Sequence, residues 1–312
     1  MSVAFLFPGQ GAQYVGMGRD LYEAHPEARE VFHIGGEVLG LDLAGMCFSG
    51  PEERLMETEN TQPAILAASV SAARVLAKYG VRPSCLAGLS LGEYSALVLS
   101  GSISLEAAFH IVRERGRFMQ EAVPMGKGAM AAIMGLGRSD VERICRDTQS
   151  HGVLDMANYN CPGQIVVSGE VGAVDRAICL AKEAGAKRAV RLAVSAPFHS
   201  RLMQPAGDRL AAVLEDTDIL DPSIPVVSNV GATYLLDASD IRSRLVRQVS
   251  SPVMWEDSVR RMSQDGTQVF LEVGPGTALT GFTKRIAPEA QAFSVQDSNS
   301  LEKALECCRG GC

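Results

Sequence analysis

Residues 87–94 read AGLSLGEY, and within them Gly88, Ser90 and Gly92 stand in a G-x-S-x-G pattern. A serine at its centre could be a nucleophile if a sharp strand-to-helix turn exposes the hydroxyl. The small flanking residues would leave room for that turn. The same residues could equally be a serine capping a helix. Chemistry at Ser90 needs a base to take the proton and donors for a developing oxyanion. Of five histidines, His33 and His110 lie in helical patterns and His151 sits in a loop beside Gly152. His25 precedes Pro26 in a polar helix and is expected to be exposed. His199, in SAPFHSRLM, follows a strand and precedes a helix, where α/β active sites assemble. It is the candidate base; a structural, hydrogen-bonded histidine is the alternative.

Arg115 is the third candidate. On the helical stretch 104–122, Ala108, Ile111, Val112, Phe118, Met119 and Ala122 form an apolar stripe, and Arg115 falls inside it. A guanidinium facing a core must find an anion. That anion is either a structural carboxylate or the carboxylate of a substrate, which the guanidinium fork would hold bidentately. The loop FPGQGAQ (7–13) could offer a backbone oxyanion donor, or be no more than a turn. The cysteines suggest no metal site. Cys47, Cys85, Cys145, Cys161 and Cys179 are scattered in apolar surroundings, and Cys307, Cys308 and Cys312 crowd a polar tail without histidine. Buried, reduced thiols are expected.

These residues need a scaffold. Apolar runs at 3–7, 83–88, 225–229, 268–273 and 291–295 read as strands, and 62–80, 104–123 and 200–216 read as helices between them. Strands apolar at consecutive positions, alternating with helices, imply a mostly parallel sheet in an α/β domain. From 128 to 194 the order changes to strand, helix, strand, strand, helix, strand, the ferredoxin-like split βαβ pattern. Residues 125–196 are therefore expected to be a small inserted domain, with 1–124 and 197–312 forming the larger one and a ligand cleft between them. A chain of 312 residues, 46% hydrophobic and 21% charged, has ample core. Its net charge of −7 argues against nucleic acid as a partner. No apolar run spans a bilayer and no signal peptide is evident, so no membrane is expected and the location is expected to be cytoplasmic.

The stretches FPGQGAQYVGMG, NTQPAILAAS, GLSLGEYSALVLSG, RGRFMQEAVPMGKGAM, NYNCPGQIVVSG, VSAPFHSRLM and LEVGPGTALTGFTKRI resemble, in order and over nearly the whole chain, the malonyl-CoA:acyl carrier protein transacylases of bacterial fatty acid synthesis. The resemblance implies an α/β-hydrolase-like core with a ferredoxin-like insertion. It also implies malonyl transfer from malonyl-CoA to holo acyl carrier protein, with no cofactor. Carried over position by position, it makes Ser90 the nucleophile, His199 the base and Arg115 the carboxylate anchor. The N–H groups of Gln10 and Leu91 would form the oxyanion hole. Gln248 would orient His199, a role for which Glu272 and Asp257 were otherwise open candidates. Asn160 and Gln62 match motif positions near the site. Leu89 departs from the histidine usual before the nucleophile, which removes a polar side chain from the expected pocket. Phe198 resembles the malonyl-type pattern of polyketide acyltransferases. A trans-acting polyketide acyltransferase, an esterase or thioesterase, and a non-catalytic binding module are the rival readings. Because carrier proteins are acidic, Lys182, Lys187, Arg188, Lys284 and Arg285 are candidates for a basic docking patch on an otherwise acidic chain.

Overall fold

The computed structural model describes residues 2–194 and 196–308; Ser195, in the SAPFHS stretch, and Cys312 lie outside the described residues. Nine strands, β1 (Val3–Phe7), β2 (Cys85–Gly88), β3 (Gly128–Met134), β4 (Leu154–Cys161), β5 (Gln164–Glu170), β6 (Arg188–Arg191), β7 (Val226–Val227), β8 (Val269–Val273) and β9 (Gln291–Val295), are among those residues. Five make a parallel sheet in the order β7-β2-β1-β8-β9, with Phe7 opposite Gly88 and Leu6 opposite Glu272. Strand β1 is buried at every position, because helices cover both faces of the sheet. Alternate residues of β1 feed two different cores: Phe5 and Phe7 join one, Ala4 and Leu6 the other.

The other four strands make an antiparallel sheet in the order β4-β5-β3-β6. Period-two alternation along β3 does the joining. Ala129, Ala131 and Ile133 pack under helices Arg138–Asp147 and Val171–Glu183 in a separate core, whereas Met130 and Ala132 face the main core. The second sheet is thus apolar on both faces.

Several local expectations need correction. The helix expected over 62–80 runs Thr58–Lys78, with Pro63 inside it. The carbonyl of Glu59, which Pro63 cannot serve, instead accepts from Arg113 Nη1 at 3.4 Å. His25 is buried rather than exposed, because it closes the corner between helices Arg19–Ala24 and Pro26–Leu39 with its ring edge-on to Tyr79. Cys179 is exposed: Ala173, Val174, Ala177 and Ala181 form the buried stripe of its helix, and Cys179 lies off it. Cys145 is only partly buried. The polar tail is in fact helix Ser298–Cys308, which buries Leu301, Ala304, Leu305 and Cys307. Among the described residues, no single helix is long and apolar enough to cross a membrane.

Candidate active site

Strand β2 ends at Gly88, and Gly92 opens helix Gly92–Leu99, so only three residues make the turn between them. Ser90 sits at its apex with φ +53°, a left-handed conformation that costs a non-glycine residue energy. The flanking glycines are sterically required. A Cβ on Gly88 would lie 1.9 Å from the Gly92 carbonyl carbon, and one on Gly92 would lie 2.1 Å from Phe7 O. A Cβ on Gly9 would meet Leu89 O at 2.4 Å, so the FPGQGAQ loop presses directly on the elbow. Leu91 is the N-cap of the following helix, hence its N–H has no carbonyl a turn earlier to serve. Gln10 and Leu91 both line the cleft in front of Ser90.

His199 also has a left-handed backbone, with φ +59°. Its Nε2 lies 2.7 Å from Ser90 Oγ and its Nδ1 2.9 Å from Gln248 O. A carbonyl can only accept, so Nδ1 carries the hydrogen and the Nε2 lone pair faces the serine hydroxyl. Burial, and then the Arg115 guanidinium, push the His199 pKa down to about 4. The ring is therefore neutral near pH 7 and able to receive a proton. Neither open acid candidate serves His199. Glu272 accepts from the N–H groups of Leu279 and Thr280, and Asp257 is held by Arg138.

Arg115 is 2% exposed and forms no ion pair among the described residues. Its acceptors are neutral: Gln62 Oε1 at 2.7 Å from Nη1, and Ser90 Oγ and Gln248 Oε1, each 3.0 Å from Nη2. The Nε is buried without a partner, and the guanidinium carbon lies 5.5 Å from the Tyr94 ring centroid. Burial pulls its pKa down, against the pull of Tyr94 and Glu93, but a guanidinium stays charged. The site thus presents a cation next to the serine with no carboxylate bonded to it.

The cleft has a volume of about 480 Å³ and opens between the two sheets. Leu89, Phe198 and Phe282 supply apolar walls, while Asn158 and Asn160, on β4, bring amides into it. Seven of the site residues read from sequence therefore converge on Ser90. Gln62 and Gln248 stand behind the cleft on Arg115; Gln10, Leu91, Asn160 and His199 line it. The basic candidates are less concentrated. Lys284 and Arg285 end helix Ala278–Ile286, and Arg285 donates to Gln164 Oε1 at 2.7 Å on the second sheet. Sequence reasoning missed Asn158, Asn229 and Glu93. Glu93 had a visible signal, being the sole charge in the apolar helix GEYSALVL and buried all the same. Asn229, just beyond β7, had none.

A strand–elbow–helix serine bonded to a neutral histidine in an α/β fold defines a serine-dependent acyl-transfer protein. The chain belongs to the malonyl CoA-acyl carrier protein transacylases: residues 4–299 match the acyl transferase domain family, and a transacylase of that name from Bacillus subtilis is 44% identical over 305 residues, covering 97% of this chain and 96% of the relative. The malonyl CoA-acyl carrier protein transacylase structure from Coxiella burnetii superposes with a TM-score of 0.96 at 41% identity, covering 98% of this chain and 97% of that one. A malonyl-transacylase solved with its type II PKS acyl-carrier protein is 47% identical, with a TM-score of 0.96 and coverage of 98% and 100%.

Proposed function

We propose that this protein moves malonyl from malonyl-CoA to the phosphopantetheine thiol of holo acyl carrier protein through a malonyl-Ser90 ester. The observation that carries the malonyl assignment is Arg115, a buried cation 3.0 Å from Ser90 Oγ whose bonded partners are all neutral. An esterase or thioesterase acting on plain acyl chains has no use for such a charge. Ser90 Oγ gives its proton to His199 Nε2 and attacks the thioester carbonyl carbon. The oxyanion accepts hydrogen bonds from the Gln10 and Leu91 N–H groups. Collapse breaks the C–S bond, and His199 returns the proton to the departing CoA sulfur. The carrier thiol then attacks the ester in the reverse sense and frees Ser90. Gln248 O holds the imidazole tautomer throughout, and Arg115 turns its fork from Ser90 Oγ to the malonyl carboxylate.

In this reading, residues 125–196 act as one inserted unit whose β4 closes the cleft over the elbow, and Asn160 meets the substrate there. Cys47, Cys85, Cys145, Cys161 and Cys179, all free thiols, support a reducing, cytoplasmic setting. Supply of fatty acid elongation is the proposed role. Likeness to a transacylase solved with a polyketide carrier supports the second reading, a polyketide carrier as acceptor. Initial rates with both substrates varied test the mechanism. Parallel double-reciprocal lines are expected of an acyl-enzyme; intersecting lines contradict it.

A further inference from the structure

Two carboxamides grip the two peptide groups that meet at Ser90. Asn229 Oδ1 accepts from the Ser90 N–H at 2.6 Å, and Asn229 Nδ2 donates to Gly88 O at 2.6 Å. Gln248 Nε2 donates to Ser90 O at 3.0 Å. That oxygen belongs to the peptide whose N–H is that of Leu91. In a trans peptide the C=O and N–H point in opposite directions, so a hold on Ser90 O also aims the Leu91 N–H. One carboxylate ties the two carboxamide residues together: Glu93 Oε2 accepts from the Asn229 backbone N–H at 3.0 Å and from Gln248 Nε2 at 2.8 Å.

All three residues are fully buried. An acidic residue in the first turn of a helix ordinarily meets solvent and the helix dipole. This one is turned inward at a considerable desolvation cost, and burial pushes its pKa up. What it holds is the backbone of a serine at φ +53°, which relaxes to commoner conformations unless its surroundings fix it.

We propose that Glu93, Asn229 and Gln248 form a single positioning clamp, in which Glu93 fixes two residues that hold the Ser90 hydroxyl toward His199 and the Leu91 N–H toward the oxyanion. The clamp rests on the reading of Ser90 as acyl carrier and deepens it. Of the three, only Gln248 is also bonded to Arg115, the carboxylate anchor, and it is left unsubstituted in the test. Asn229 and Glu93 act on the Ser90 backbone, so their loss lowers the rate of acyl transfer to Ser90 far more than substrate affinity.

The test compares Asn229→Ala, Glu93→Ala and Glu93→Gln with wild type by rapid-quench malonylation. The Kd for malonyl-CoA is measured for each in a Ser90→Ala background. Asn229→Ala and Glu93→Ala are expected to slow acylation about 100-fold, the scale of a small misplacement at a reacting centre. Their Kd values should stay within about threefold, under 1 kcal/mol of binding. Glu93→Gln keeps an acceptor oxygen for both donors and should recover at least about tenfold of the loss. Should Asn229→Ala not fold, the Glu93 pair decides, with amide exchange at Ser90 faster in Glu93→Ala than in Glu93→Gln. Acylation near the wild-type rate in a folded clamp variant overturns the proposal. So does affinity falling in step with rate, or Glu93→Gln as slow as Glu93→Ala. Absence of any wild-type adduct overturns the nucleophile reading itself, which keeps the two failures apart.

Discussion

Arg115 is the buried charge proposed to select the substrate. Its guanidinium has left water for a site whose hydrogen-bond partners are a hydroxyl and two amides, none of which neutralises it. With malonyl-CoA bound, Arg115→Ala strips the partner from a buried anion, a loss of roughly 3–5 kcal/mol, or about two to three and a half powers of ten in kcat/KM. Acetyl-CoA carries no carboxylate and should lose far less. Arg115→Lys should restore only part, since an ammonium cannot donate two parallel hydrogen bonds. The measurement is kcat/KM for both thioesters in each variant; an unchanged malonyl-to-acetyl ratio in folded Arg115→Ala removes the assignment. His199 makes a second prediction. Its folded pKa, about 4, lies below its ordinary value of 6.5. Above pH 6.5 neither state holds the proton, so its contribution to stability is complete. As pH falls from 6.5 toward 4, the unfolded chain takes up a proton the folded chain refuses, and stability drops. Urea midpoints at pH 7.5 and pH 5 should show this fall, and His199→Gln should reduce it. The acid limb of kcat/KM should likewise lie well below pH 6. An inflection near pH 6.5 would show the imidazole to be exposed to solvent. Arg115 was legible in sequence because a charge interrupted a helical stripe. His199 was legible only as the best-placed of five, since its contact with Ser90 spans 109 residues of chain.

The proposed chemistry depends on the elbow, and its steric terms are separable. Gly88→Ala drives a methyl into the Gly92 backbone, 1.9 Å away, so the turn must open. Acylation is expected to fall by about 100-fold or more while far-ultraviolet circular dichroism stays near wild type. Near-normal acylation would mean the turn accommodates a Cβ. Ser90→Ala and Ser90→Gly both remove the hydroxyl, but only glycine relieves the φ of +53°. Ser90→Gly should be the more stable of the two, by roughly 1 kcal/mol. Equal melting temperatures would argue that the elbow carries no backbone strain. Such elements were readable where one force dominates: consecutive apolar residues for β1 and β8, and 3.6-residue stripes for the helix Leu105–Glu121. They were misread where tertiary contact overrides local pattern. Pro63 lies inside a helix because Arg113 serves the freed Glu59 carbonyl, and the cysteine-rich tail is a helix because Leu301 and Ala304 dock on the core.

Across the whole molecule, a net charge of −7 must still accommodate an acidic carrier protein, so attraction has to be local. Lys284 and Arg285 end the helix whose Phe282 walls the cleft, and Arg285 bridges to Gln164 on the second sheet. Charge reversal at Lys284 and Arg285 should raise KM for the carrier protein several-fold, more at low salt, and spare acylation by malonyl-CoA. Equal damage to both half-reactions would show the surface is not where the carrier docks. The order of strand and helix was enough to foresee a parallel sheet and a second, separate sheet. It could not reveal that β4 brings Asn158 beside Asn160 at the cleft, because that depends on how the second sheet sits over the first. Every proposed step depends on Ser90 carrying the acyl group. Intact-protein mass spectrometry after brief incubation with malonyl-CoA alone, followed by peptide mapping, tests it most directly. One malonyl adduct is expected, on Ser90, absent in Ser90→Ala and discharged by holo acyl carrier protein. An active wild-type protein with no adduct, or an adduct that persists in Ser90→Ala, would contradict it.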